Sequence, residues 1–530
     1  MGQDPPAPPS KDELERLCAL LEDLGSRRET LDLLGHDDRL RLMRAAGVLV
    51  WPNRDALKNA SRARRRKTLS DRRGRDAEIV AATGMRTALR ASVYVAPTIP
   101  APEGEPGPQL EEPRQCYVCK ADFNELHPFY DSMCPPCARL NYARRFPVGD
   151  LTGHIALVTG ARIKIGFQTA LMLLRRGARV IVTTRFPRDA AQRFCEVADF
   201  ASFADRVHIY GLDLRHIPSV ELFSGHLSRR FPYLDILVNN AAQTVRRPAA
   251  FYAHLLPLEA QPQETLPSAW RPLLADHLAL SSAIGAASRD HDTGVTTLVQ
   301  LPTEAARGLV GFRGDRPGIG LTDSASLSQT PCGDEDPGAG VQIGQRAEIE
   351  RMFPTGRFDG DLQQVDLRPH NSWRMTVSDV PTGELLEVHL VNAVAPFVLC
   401  ARLRPMLVRS PHDERFIVNV SAMEAQFARN KKTDKHPHTN MAKAALNMLT
   451  RTSAVDYANE RIYMNSVDTG WVTDEDPVQH VVRKQEVHRF HPPLDVVDGA
   501  ARVLDPVFSS LGSKTPAFGL FFKDYRVIAW

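Results

Sequence analysis

Cys116 and Cys119 form one CxxC pair and Cys134 and Cys137 form a second, with 14 residues between them. Each pair belongs on a tight turn that aims two sulfurs at one ion. Together the two pairs complete a tetrahedral four-thiolate site. Zinc is the expected metal, because it is borderline-soft and lowers the pKa of thiols that bind it. Four sulfurs leave no open position, so the expected role is structural. A redox dithiol would need only one pair. His127 lies between the pairs, but four cysteines already complete the set.

A second set of residues suits a phosphate group. His154–Gly160 (HIALVTG) reads as a buried strand, 159–166 (TGARIKIG) as a tight turn, and Phe167, Ala170, Leu171 and Leu174 as one face of a helix that Gly177 ends. Small residues in such a turn let backbone approach a pyrophosphate. The helix N-terminus adds N–H groups and positive potential. At the end of the next strand stand Thr183, Thr184 and Arg185. No acid is present there to bind a ribose 2′-hydroxyl, and Arg185 suits a 2′-phosphate. The tip therefore favours NADP, with NAD the alternative.

The elements that must position these groups follow the same pattern. Strands are expected at 180–185, 207–214 and 234–242, alternating with helices. That alternation implies an α/β fold, a doubly wound parallel sheet of Rossmann type, with its ligand at the carboxyl ends of the strands. The last strand is expected at 517–525, after a helix at 495–508. Ahead of the sheet the chain divides into a helical region (1–96), a proline-rich linker (97–114) and a zinc module (115–149). Leu14, Leu17, Leu20 and Leu21 carry the helical spacing near the start. Within 150–530, residues 245–372 read as an insertion. Its 268–285 part is helical and its Gly/Asp/Pro/Ser-rich 313–345 part is expected to be mobile.

At this point the chain resembles the short-chain dehydrogenase/reductase family. The matching motifs are 159–166, Asp213 of the third strand, Asn239–Ala242 at the end of the fourth, Asn392 on a helix, the strand 417–422, Lys443 on a later helix, and 465–473. The resemblance implies that Thr159, Gly160, Arg162, Lys164, Ile165, Gly166, Arg185, Asp213, Leu214, Asn240, Ala241, Gly470, Val472 and Thr473 surround a nicotinamide dinucleotide. It implies a catalytic set of Asn392, Ser421, Thr439 and Lys443, with Lys443 also on the nicotinamide ribose. The departures are equally specific. Lys164 stands where the family's phosphate loop has its middle glycine. Thr439 replaces the catalytic Tyr, and Ala422 aligns with the catalytic Ser, with Ser421 one residue earlier. Thr469 replaces the loop's Pro. His436, His438 and Ser421 are the substitutes for the missing phenol, although the histidines read as part of an exposed loop.

Two functions follow as expectations. One is an NADP-dependent oxidoreductase acting on an unknown carbonyl or alcohol. The other is a pseudoenzyme that binds NADP(H) as a sensor or scaffold and uses the zinc module for protein contacts. A homo-oligomer is a further expectation from the resemblance. The composition bounds the rest. With 530 residues, 43% hydrophobic and 24% charged, the chain is neither disordered nor fibrous. The 66 basic and 63 acidic residues nearly balance. A nucleic-acid reading would rest on 61–75, which holds eight Arg or Lys with no interleaved aromatic. A solvated helix face explains that stretch more simply. No targeting or membrane-spanning stretch is expected, and a cytoplasmic location follows as the default.

Overall fold

The computed structural model describes residues 9–50, 54–91, 94–95, 107–287, 318–331, 346–429, 432–488 and 491–530. It divides into two units, Met1–Glu78 and Ile79–Trp530. The first unit is helical. Its helix Lys11–Ser26 opens with a capping box, in which Ser10 Oγ accepts from the Glu13 amide and the Glu13 carboxylate accepts from the Ser10 amide. The leucines that forecast this helix, Leu14, Leu17, Leu20 and Leu21, are all exposed. The basic stretch 61–75 lies in the helix Arg54–Ala81, and Arg62–Arg73 face solvent.

In the second unit, strands β1 (Gln109–Gln115) and β2 (Asp122–Glu125) pair antiparallel. The expected linker is therefore shorter than its prolines suggested. Residues 109–114 are strand, and 97–106 lie outside the described residues. The main sheet has β3 (Ile155–Thr159), β4 (Arg179–Thr184), β5 (Val207–Gly211), β6 (Ile236–Asn239), β7 (Arg415–Ser421), β8 (Ile462–Asp468), β9 (Phe521–Lys523) and β10 (Arg526–Ile528). Their order is β10-β9-β8-β7-β6-β3-β4-β5, parallel except for the β9–β10 hairpin. The expected last strand is thus two short ones joined by a turn at Asp524 and Tyr525, both with positive φ. Strand order reverses between β3 and β6. That reversal opens a crevice at the carboxyl ends of the strands, where ligands of such sheets bind.

Alternate strand residues face opposite layers. Val158, Val182, Ile209, Val238, Val418 and Val467 enter one core; Leu157, Ile181, Tyr210, Leu237, Ile417 and Met464 enter the other. The first core continues without a break into the cysteine segment, through Met85, Cys116, Leu126, Phe129, Tyr130 and Met133. Buried charge joins the same two regions. Arg145 donates to Asp495 and Asp498 at 2.8 Å each, Tyr130 Oη bonds Asp498, and Arg502 donates to Asn141 and Asp524. Asp495 is also the N-cap of the helix Val496–Phe508.

Two expectations change in the insertion and beside it. Residues 318–331, forecast as mobile, form the short helix Ile319–Thr322 and a 3-10 turn at Ser326–Gln329. They are anchored where the Asp213 amide donates to Gly320 O and Ser324 Oγ donates to Arg185 O. The rest of 313–345 lies outside the described residues. The helical run Thr382–Val408 is, among the described residues, long and apolar enough to cross a membrane, against the expectation of none. Its Ala395, Leu399, Leu403 and Met406 are buried in the second core, as in a helix that covers a sheet.

Candidate functional site

A cavity of about 1720 Å³ opens along the carboxyl ends of the strands. Thr159 closes the end of β3. Its hydroxyl donates to Val238 O and accepts from the amides of Asn240 and Ala241 at 3.0 Å each. This residue is buried and acts as a tie beneath the wall. Gly160 follows with φ +66°, and a Cβ there would stand 2.9 Å from Ala241 Cα. Gly166 faces the same loop, where a Cβ would meet Gly160 O and Asn240 Nδ2 at 2.4 Å. Asn240 Nδ2 donates to Thr159 O and Gly160 O, locking the turn. Lys164, at the family's glycine position, has φ +54°, a conformation only glycine adopts freely. Lys164, Ile165 and Gly166 line the cavity where the helix Lys164–Arg175 begins. Ile165 also covers Gly499.

Arg162 is turned inward. Its guanidinium donates to Asp189 and to Gln363 Oε1 at 2.6 Å each. Arg185 sits at the tip of β4 and donates to Tyr252 Oη at 2.6 Å, with its guanidinium 4.5 Å from that ring's centre. Burial alone would raise the Tyr252 hydroxyl; Arg185, Arg247 and Arg162 outweigh it and lower its pKa. Asp213 is fully engaged by Arg215, whose Nη2 lies at 2.7 Å. Burial opposes that charge, and Arg215 still holds Asp213 below the usual carboxylate range. Leu214 lines the wall beside it, as does Ala241 across the crevice.

At the other end, Ser421 ends β7 and lines the cavity, and its buried Oγ has no partner among the described residues. Ala422 lines it as well. Lys443 is buried, donates from Nζ to Val420 O at 2.7 Å, and burial pulls its pKa down to about 8. Asn392 lies in a single π-helical turn, Leu390–Val394, of the kind that recurs at functional sites. Its Oδ1 accepts from the Gln243 amide at 2.7 Å and its Nδ2 donates to Gln243 O, so it braces the chain after β6. Thr439 is buried, and it is not among the residues lining the cavity.

His436, the N-cap of the helix Pro437–Ala458, and Asn440, on that helix with Lys443, line it instead. The expectation of an exposed histidine loop is overturned: His436 is 6% and His438 1% exposed. His436 stacks on Trp373, with ring centres 3.9 Å apart and planes 7° apart. Burial lowers its pKa. His438 points away, toward Glu384 at 3.5 Å. Gly470 has φ +76°, Val472 is buried, and Thr473 Oγ1 donates to Glu475 at 2.7 Å.

Several wall residues carried no signal in the sequence. The insertion supplies Tyr252, Asp361, Gln363 and Asp366, the residue after it is Trp373, and the cysteine segment supplies Tyr117, Val118 and Lys120. The sulfur atoms of Cys116, Cys119, Cys134 and Cys137 lie within 4.8 Å of one another, Cys119 and Cys134 at 3.6 Å. A tetrahedral site with metal–sulfur bonds of about 2.3 Å has edges of about 3.8 Å, so the donor set fits one ion.

Comparison with known proteins points the same way. A family model described as short chain dehydrogenase matches residues 154–254, and one described as enoyl-(acyl carrier protein) reductase matches 346–491. An uncharacterized protein of Acanthamoeba polyphaga mimivirus is 27% identical over 406 residues, which cover 74% of this chain and 71% of that one. The human dehydrogenase/reductase SDR family member 13 is 39% identical over 111 residues, 20% of this chain and 26% of its own length. Among solved structures, an NADPH-bound carbonyl reductase from chicken fatty liver is 16% identical. It has a TM-score of 0.39 and covers 72% of this chain and 100% of its own. The two family matches together take in the glycine turn, the π-helical asparagine and the buried lysine; over 154–254 and 346–491 the chain is similar to the short-chain dehydrogenase/reductase family.

Proposed function

We propose that this protein is an NADP(H)-dependent oxidoreductase that interconverts a carbonyl compound and an alcohol. The observation that carries this reading is the convergence, on one cavity, of the Gly160–Gly166 turn, Arg185 and Lys443. A bound nicotinamide supplies or takes up the hydride. Gly160, Gly166 and the first amides of the helix Lys164–Arg175 receive the pyrophosphate. Arg185, already oriented by Tyr252, pairs with the 2′-phosphate. Lys443 holds the nicotinamide ribose, and Asn392 fixes the backbone at Gln243 behind it.

The remaining need is a proton for the developing alkoxide. Thr439 lies off the cavity wall, so the role falls to His436, whose imidazole is on it and is held face-on by Trp373. Ser421 offers the substrate oxygen a hydrogen bond from a hydroxyl with no competing partner among the described residues. The four cysteines hold one structural zinc ion. The exposed apolar side chains Leu386, Phe397, Met441, Met448 and Val455 on the helices outside β6–β8 suit a second copy of the chain.

Fluorescence titration with NADPH and NADH tests the reading, with Lys443→Ala as control. Tighter binding of NADPH, weakened by the substitution, is expected; binding of neither nucleotide overturns it. The position of Thr439 favours a second reading, an NADP(H)-binding protein without turnover. Binding without oxidation across a panel of aldehydes and ketones selects that reading. Turnover abolished by His436→Asn with binding retained selects the first.

A further inference from the structure

The four-cysteine segment does more than precede the sheet: one of its residues reaches the cavity. Tyr117 follows the first ligand, Cys116, inside the first CxxC turn. Its backbone is held by both turns. Its own amide donates to Ser132 O at 2.8 Å, two residues before Cys134, and the Cys116 amide donates to Ala121 O at 2.8 Å. Its hydroxyl oxygen accepts from the Trp471 amide at 3.0 Å. It also stands 3.2 Å from where a Cβ on Gly470 would lie. Trp471 and Gly470 belong to the 469–473 stretch after β8, and both residues line the cavity together with Tyr117. Lys523 lies 5.9 Å from the centre of the Tyr117 ring and pairs with Asp468 at the end of β8, just before that stretch.

We propose that Tyr117 is a positioning residue through which the metal-bearing turn sets the 469–473 loop, so that the state of the four cysteines is felt at the nucleotide cavity. The attachment of the segment does not itself depend on the metal. The buried ion pairs of Arg145 with Asp495 and Asp498 bolt it to the helix Val496–Phe508. Losing the ion therefore loosens the turn and Tyr117 while the segment stays docked. Gly470, at φ +76°, gives the loop the backbone freedom to move once the hydroxyl is withdrawn. The proposal rests on the reading of the cavity as a nucleotide site, and its test separates the two.

The test is amide hydrogen exchange on the full-length, metal-loaded chain, comparing the parent with Tyr117→Phe, which keeps the ring and removes only the oxygen. Loss of one hydrogen bond should speed exchange of the Trp471 amide about fivefold, with β3 and β7 unchanged. Chelating the metal from the parent should speed it similarly, and should add little in Tyr117→Phe. The NADPH dissociation constant should rise by about the same factor in both cases. An unchanged Trp471 amide in Tyr117→Phe overturns the proposal. So does a chelation effect as large in the variant as in the parent. If the parent does not bind NADPH at all, the nucleotide reading fails, while the exchange data still decide whether Tyr117 holds the loop.

Discussion

Replacing Lys443 by Met should make the protein more stable and useless. Lys443 is fully enclosed, and burial lowers its pKa from 10.5 to about 8. Below pH 8 the folded chain carries a buried ammonium that the unfolded chain hydrates. Between pH 8 and 10.5 the unfolded state binds more protons than the folded one, so stability rises with pH through that window. A gap of between two and three pKa units corresponds to about 3 kcal/mol of destabilisation at pH 7 and about 1 kcal/mol at pH 9.5. Methionine keeps the length of the side chain and removes the charge. It also forfeits the bond from Nζ to Val420 O, a loss of about 1 kcal/mol at either pH. Lys443→Met should therefore gain about 2 kcal/mol at pH 7 and about nothing at pH 9.5. Urea unfolding of both proteins at the two pH values measures this, since other titrating groups cancel in the difference. A variant no more stable at pH 7, or an advantage that does not shrink with pH, refutes the claim that the fold stores a desolvated cation at this point. NADPH titration of the same variant should show weakened binding.

Four other outcomes are expected. Gly166→Ala drives a Cβ into Gly160 O and Asn240 Nδ2, so NADPH affinity should fall at least tenfold, read by fluorescence, with about 2 kcal/mol lost from stability. Arg185→Ala should weaken NADPH by about tenfold and leave NADH nearly unchanged; equal loss for both would remove Arg185 from the 2′-phosphate. Serine at both Cys116 and Cys119 should cost about one zinc equivalent per chain by elemental analysis and lower the melting temperature. Arg145→Met strands Asp495 and Asp498 without their cation, which should destabilise the second unit by about 3–5 kcal/mol in urea.

What could be read from the sequence was local or periodic. The β3 turn, Lys443, Asn392 and the paired cysteines each announce themselves within a few residues, because strand, helix and knuckle impose fixed spacings. What could not be read is made by contacts distant in the chain. Gln363 meets Arg162 across 201 residues, and Trp471 meets Tyr117 across 354. The histidines at 436 and 438 read as a polar loop because the groups that bury them come from elsewhere: Trp373 from just after the insertion, and Glu384 from the helix Thr382–His389. Thr439 shows the opposite failure. Its spacing from Lys443 matches the family, yet the helix turns Asn440 and His436, and not Thr439, to the cavity.

Lys164 shows why the insertion and the phosphate turn belong to one device. A lysine in the left-handed region costs about 1–2 kcal/mol that glycine would not, and the family's pattern has glycine there. The strain therefore needs an offset, and the surroundings provide one. Asp361, from the insertion, and Glu475, from the segment after β8, are both partly buried at the cavity wall. Burial pushes the Asp361 carboxyl up, and Lys164 is the chief opposing influence. At Glu475 burial is outweighed by Lys164 and Arg247, and its pKa falls. The one ammonium thus acts on two carboxylates carried by different walls of the cavity. A nucleotide pyrophosphate would bring negative charge to the same ammonium and so compete with both carboxylates. On the function proposed above, binding of the dinucleotide and the seating of the insertion are for that reason expected to be electrostatically linked through Lys164.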